Sequence, residues 1–203
     1  MTSTTAFVGD IHGNLEALHG LWDLLSVHNI EHAVFLGDYI NKGTRSAEVL
    51  EFLFDLADSG KATLLVGNHE LELLNALHTG DLRGFLKIGG AATIRSYVAR
   101  PVAPNVFADF TACIPQEHVD ALRLLPMEYL TDDLIARHVP QQTVDTTRYS
   151  VSAHSPIGDV PRIGSHAAQL DTGCGEEGGR LTALLWPGLG YVQVDNTGTV
   201  INE

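Results

Sequence analysis

The chain has 203 residues, 44% of them hydrophobic and 18% charged, which supports a folded core and excludes a disordered chain. Its formal net charge of −13 argues against nucleic acid and against an anionic membrane surface as partners, since both call for a basic face. A phosphate substrate stays open, because bound divalent cations reverse the local sign.

The first residues, Met1 to Val8, show neither a basic leader nor a long apolar stretch, and no apolar run reaches the ~18 residues of a membrane span. The expectation is a cytoplasmic protein forming one domain over residues 1–203. Thr5 to Val8 reads as a short buried strand. Leu15, Leu18, Trp22 and Leu25 recur at helical spacing, so a helix is expected from Asn14, as N-cap, to about His28. Ala33 to Leu36 is the next strand. Val49, Leu53 and Leu56 mark a second helix that Gly60 can end. Ala62 to Val66 is a third strand, and Glu70 to Leu77 begins a third helix. This alternation implies parallel strands joined by right-handed crossovers.

Residues 80 to 127 read as further helices, interrupted by Gly89-Gly90 and prolines. Short strands are expected at Leu134–Arg137, Tyr149–Ala153, Ala168–Leu170, Leu181–Trp186, Tyr191–Val194 and Thr199–Ile201. The last two suggest a hairpin through Asp195-Asn196-Thr197-Gly198. The fold class implied is α/β: two stacked mixed β-sheets flanked by helices. Cys113 and Cys174 form no CxxC pair and are expected as reduced, mostly buried thiols.

Three segments follow the three early strands: Gly9-Asp10-Ile11-His12-Gly13, Gly37-Asp38-Tyr39 and Gly67-Asn68-His69-Glu70. They are spaced by about one β-α-β unit of ~30 residues each. Asp10, Asp38 and Asn68 should therefore sit at the carboxyl ends of adjacent parallel strands, where open α/β sheets place their ligands. Residues two apart in extended chain point the same way, so Asp10 and His12 can reach one metal ion. Asp, Asn and His supply oxygen and nitrogen ligands suited to Mn, Fe, Zn or Mg.

These segments resemble the calcineurin-like metallophosphoesterases, in particular the phosphoprotein-phosphatase branch with its bacterial and diadenosine-tetraphosphatase-like members. The matching stretches are GDIHG (9–13), GDYINKG (37–43), GNHE (67–70), GGAATIRSY (89–97) and LDTGCGEEGGRLTAL (170–184). The family's two later histidines match His138 and His154, although Val139-Pro140 stands where the family has Ala-Gly. His166 is a rival for either place.

The resemblance implies two divalent metal ions, Mn first, with Fe, Zn or Mg as alternatives. Asp10, His12 and Asp38 would hold one ion; Asp38, Asn68, His138 and His154 would hold the other. His69 would be the general acid, oriented by Asn41. Asn68 and Lys42, the latter in place of an arginine, would contact the substrate phosphate. Apart from the resemblance, Tyr39 and Arg45 lie close to the motif residues and could line the site, Arg45 either contacting the substrate phosphate or standing as an exposed surface arginine. Only 15 residues separate His138 from His154, fewer than the family has, so a cap is shortened and an open site of broad specificity is expected. Arg148 could replace a missing arginine there, but its place suggests a strand start. The main functional expectation is a phosphomonoesterase of small-molecule, phosphoserine or phosphothreonine substrates. The alternatives are a dinucleoside polyphosphate hydrolase and a metal-binding regulatory domain of low activity. No GxSxG or Walker A motif occurs. Gly173–Gly179 reads as a loop between strands. His19, His28, His32, His78 and His118 are expected to be solvated.

Overall fold

The computed structural model describes residues 4–141 and 147–202. The first parallel strands are β1 (Thr5–Val8), β2 (His32–Phe35) and β3 (Ala62–Leu64). Helices α1 (Leu15–Val27) and α2 (Ser46–Asp58) connect them. Asn14 caps α1 as expected, its side-chain oxygen accepting from the Ala17 N–H at 3.0 Å. Helix α3 (Asn68–Thr79) starts two residues before the expected Glu70, so Asn68 and His69 lie in its first turn. Four short helices follow: α4 (Arg83–Lys87), α5 (Gly90–Val98), α6 (Val106–Thr111) and α7 (Gln116–Leu124).

The remaining strands are β4 (Glu128–Leu130), β5 (Leu134–Arg137), β6 (Tyr149–Ser152), β7 (Arg162–Ile163), β8 (Ala167–Gln169), β9 (Arg180–Trp186), β10 (Gly190–Asp195) and β11 (Val200–Asn202). They complete two mixed sheets, one in the order β11-β10-β9-β1-β2-β3 and the other β4-β5-β6-β8-β7. In the first, β9 runs antiparallel to β1, which its sequence alone could not say. Strands β4 and β7 were not expected. Each has two or three residues and gains its extended form from a neighbour, β5 or β8.

Alternation along the central strands sorts the core into two layers. Ala6, Val8, Ala33 and Phe35 face the helices with Leu18, Leu21, Val49 and Leu53. Phe7, Val34 and Leu36 face the second sheet, meeting Leu134, Ala136, Val151 and Ala168. A site at the carboxyl ends of β1, β2 and β3 therefore also receives the ends of β5 and β6. Among the described residues, no helix is long and apolar enough to cross a membrane. Cys113 is a half-buried free thiol and Cys174 a buried one.

Candidate metal centre

Five non-glycine residues in the motif loops adopt left-handed backbone: His12 (φ 49°), Asp38 (55°), Asn41 (74°), Lys42 (56°) and His154 (77°). Such conformations cost energy in an L-residue and need the surroundings to impose them. His12 corrects the reasoning from an extended chain. It reaches its neighbours by a left-handed turn, which leaves its Nε2 3.7 Å from Asp10 Oδ2.

Glu70 imposes much of this shape. Its carboxylate is fully buried and accepts from four backbone N–H groups: Asp38 at 2.8 Å, Tyr39 at 2.9 Å, Ile40 at 3.3 Å and Gly67 at 3.0 Å. It thus ties the loop after β2 to the start of α3. Gly67 must be glycine, because a Cβ there would collide with the Asp38 carboxylate and amide. Sequence reading saw Glu70 only as part of a motif. Its signal was an acid in a helix first turn, two residues beyond a candidate ligand.

The candidate ligands converge. Asn68 Oδ1 lies 2.9 Å from His138 Nε2 and 2.8 Å from His154 Nδ1, and those two ring nitrogens are 3.1 Å apart. His138 Nε2 is also 3.3 Å from Asp38 Oδ2. Ligand-type atoms of Asp38, His138 and His154 all lie within 4.8 Å of one another, and so do those of His12, Asp38 and His69. Asp38 belongs to both groups, which suits a shared ligand. His69 Nε2 lies 3.7 Å from Asp38 Oδ2, and Asp10, in neither group, lies 3.7 Å from His12 Nε2 and 3.8 Å from His138 Nδ1.

Backbone carbonyls fix the rings. His138 Nδ1 faces Leu36 O at 3.1 Å and His12 Nδ1 faces Ile40 O at 3.2 Å. A ring that donates Nδ1–H to a carbonyl turns the Nε2 lone pair toward the cluster, the usual outer support of a metal-binding histidine. His69 differs. Its Nδ1 meets the Asn41 side-chain nitrogen at 2.8 Å, and the Thr93 hydroxyl donates to Asn41 Oδ1 at 2.7 Å. With Thr93 holding the oxygen, the Asn41 amide donates to Nδ1, so neutral His69 carries its proton on Nε2. Thr93 was not singled out in the sequence, since a threonine inside a helix carries no local signal.

The electrostatics fit divalent cations. Asp10 is 2% exposed, and its Oδ2 has no hydrogen-bond partner among the described residues. Burial, then the charges of Asp38 and Asp171, push its carboxyl well above the ordinary value. Asp171 is a second acid that sequence reading passed over, although it lies in the LDTGC stretch. It is buried as well, and burial raises its carboxyl. Burial also pushes Asp38 up, but the bond and charge from His138 outweigh it and hold it at about 2. Burial, helped by Lys42, lowers His12 to about 4. Crowded buried acids with an orphaned oxygen, facing histidine lone pairs, form a donor set that hard-to-borderline divalent ions satisfy.

The expected substrate-facing residues divide. Lys42 bonds Glu176 at 2.6 Å, and its charge acts on Asp10, His12 and His69. Arg45 is held by Glu16 at 2.7 Å and Glu48 at 3.1 Å. Tyr39 does not line the site: it is fully buried, and its hydroxyl donates to Leu65 O at 2.6 Å. His166 is exposed and lines a separate cavity with Pro140 and Ser152. Arg148 precedes β6 and donates to Thr131 O at 3.1 Å. Two histidines expected to be solvated are half-buried: His118 meets the Tyr97 hydroxyl at 2.8 Å, and His32 meets Thr63 Oγ1 at 3.1 Å. Residues 142–146, within the short segment between His138 and His154, lie outside the described residues.

A model of the family described as calcineurin-like phosphoesterase matches residues 3–162. A symmetrical bis(5'-nucleosyl)-tetraphosphatase of Pseudomonas putida is 32% identical over 104 residues, covering 51% of this chain and 34% of that protein. One from Psychromonas ingrahamii is 38% identical over 77 residues, covering 37% and 27%. The match thus spans about a third or less of these curated relatives. A solved structure provisionally named a diadenosine tetraphosphatase has a TM-score of 0.68 at 22% identity, covering 96% of this chain and 94% of that one.

Proposed function

The chain belongs to the calcineurin-like phosphoesterase family, and from that premise we propose a hydrolase of phosphoester bonds: a metal-dependent phosphatase of phosphate monoesters acting as one domain over residues 1–203. The carrying observation is the convergence of Asp10, His12, Asp38, Asn68, His138 and His154, with Asp10 Oδ2 buried and unpartnered among the described residues. In this reading Asp10, His12 and Asp38 hold one divalent ion, and Asp38, Asn68, His138 and His154 hold the other. Bound divalent ions would supply Lewis acidity and a more acidic water.

The chain's own groups do the rest. Asp38, whose ligand-type oxygen is near both groups, keeps them in register. His69 Nε2 holds the proton that a leaving oxygen needs. Asn41 orients that ring through Nδ1, and Thr93 orients Asn41. Lys42 meets phosphoryl charge as a single mobile cation, without an arginine's two-pronged grip. Arg45, engaged by two carboxylates, has the weaker claim to a substrate contact.

A second reading, hydrolysis of dinucleoside polyphosphates, is favoured by the names of the curated relatives. It is disfavoured by the sparse cationic groups: Lys42 already shares its charge with Glu176. The test is metal content by elemental analysis together with turnover of p-nitrophenyl phosphate, a phosphopeptide and diadenosine tetraphosphate. The expected result is turnover of the monoesters, with His69→Asn keeping its metal but losing most activity. Preferred hydrolysis of diadenosine tetraphosphate would replace the first reading by the second. Retained metal with no turnover of any ester would point to a regulatory, low-activity domain.

A further inference from the structure

Beside the ligand cluster lies a cavity of about 270 Å³ whose walls are apolar. Leu71 on α3, Met127 before β4 and Val139 after β5 are exposed by 45%, 64% and 51%. Large apolar side chains left this open and gathered at one spot mark a binding surface. Val66, Asn68 and His138 also line the cavity, so it borders the candidate metal centre. Val139 stands where the resembled family has alanine, so this chain supplies part of the wall by its own departure. The charged lining residues, Glu128 and Arg137, neutralise each other through a bond from Arg137 Nε at 2.8 Å. The cavity therefore offers apolar contact without a net charge.

We propose that this cavity receives the flat aromatic or heteroaromatic group of a phosphate ester whose phosphoryl group reaches Asn68 and His138; the proposal rests on the phosphoesterase reading above. The volume, just below that of drug-sized pockets, suits one ring system. Leu71, Met127 and Val139 contact the ring faces. A nucleobase and a simple aryl group share this chemistry.

The chain has two methionines, Met1 and Met127, so a methionine-methyl label gives two signals, one of them in the cavity. The zinc-loaded, and hence diamagnetic, protein is titrated with benzylphosphonate and with methylphosphonate. A ring-current shift of the Met127 methyl with benzylphosphonate alone is expected. An unmoved methyl, or equal shifts with both ligands, overturns the proposal. In turnover, kcat/KM is compared for 2-phenylethyl against ethyl phosphate, and for adenosine 5'-phosphate against ribose 5-phosphate. At least one ratio should be about tenfold or more, from the apolar area a ring buries, and which one is raised identifies the source. Leu71→Asp, at an exposed helix position, should bring that ratio near one, whereas Leu71→Met should keep it. Both ratios near one in the wild type overturn the proposal. Absent turnover with the Met127 shift retained would remove the phosphoesterase reading while leaving the cavity's ligand class standing.

Discussion

Asp10, Asp38 and Asn68 leave the six-stranded sheet on tight loops, whereas His138 and His154 leave the five-stranded sheet at the ends of β5 and β6. The first side is braced from within: Glu70 gathers four amides, that of left-handed Asp38 among them. The second side borrows its anchors from the first. His138 Nδ1 bonds Leu36 O, and the His154 N–H donates to Asp10 Oδ1 at 3.3 Å. The second side in turn contacts Asn68 and Asp38, but only the first holds a buried carboxylate that gathers four amides, so damage to Glu70 should spread further than damage to His154.

The largest test of that asymmetry is Glu70→Ala. It leaves four buried N–H groups without an acceptor, each worth about 1–3 kcal/mol and not fully additive. Metal-free protein should lose about 3 kcal/mol or more in urea unfolding, while His154→Ala, at a half-buried position, should lose less than about 1 kcal/mol. Equal losses would remove the claim that damage to Glu70 spreads further.

The same asymmetry governs what could be read in advance. The three loops after β1, β2 and β3 are periodic, because one β-α-β unit separates each from the next, and each concentrates Gly with Asp, Asn or His. Local chemistry and regular spacing made Asp10, His12, Asp38, Asn68 and His69 visible together. His138 and His154 meet them only through the stacking of one sheet on another, which has no period. There a motif resemblance did the work, and His166 could not be dismissed until the structure placed it in another cavity. Glu70 and Thr93 escaped as supports because buried hydrogen-bond partners carry no spacing rule. Tyr39 misled for the converse reason: it adjoins a motif residue in sequence but points into the core.

A second test separates charge from packing. Asp10 has a raised folded pKa, so the folded state binds its proton more tightly than the unfolded state does. Its contribution to stability therefore falls as pH rises through the unfolded value near 4 and keeps falling up to the folded value. His12 works in the opposite sense. Its folded pKa of about 4 lies below the ordinary value, so stability rises with pH between about 4 and 6.5, by up to ~3 kcal/mol. Asp10→Asn should thus stabilise the metal-free protein at pH 7 by on the order of 1–2 kcal/mol. It should also expose the rise due to His12 over that window. The variant should lose most of the thermal stabilisation that manganese gives the wild type. A variant no more stable than the wild type when metal-free would mean that Asp10 is satisfied by the protein alone.

Thr93 sits behind the first side and acts on it through Asn41. Thr93→Val keeps the shape but removes the hydroxyl, freeing the Asn41 amide to flip and change which His69 nitrogen carries the proton. Turnover should fall by about tenfold for alkyl phosphates, whose leaving oxygens need a proton, and by much less for p-nitrophenyl phosphate. Thr93→Ser should restore it. A loss of the same size for every leaving group would mark Thr93 as packing only.

The smallest effect is expected at Arg45, where sequence and structure part company. Arg45 follows the second motif closely enough to suggest a phosphate contact. Its guanidinium is instead held by Glu16 and Glu48 on the rim, and such exposed pairs contribute about 0–1 kcal/mol. Lys42 pairs with Glu176 too, yet its charge reaches Asp10, His12 and His69. Arg45→Ala should therefore change KM for a phosphate monoester by less than about twofold, and stability by less than about 0.5 kcal/mol. Lys42→Ala should raise KM by roughly tenfold, the value of about 1.4 kcal/mol of lost phosphate attraction. A reversed order would return Arg45 to the site and leave Lys42 as a surface ion pair.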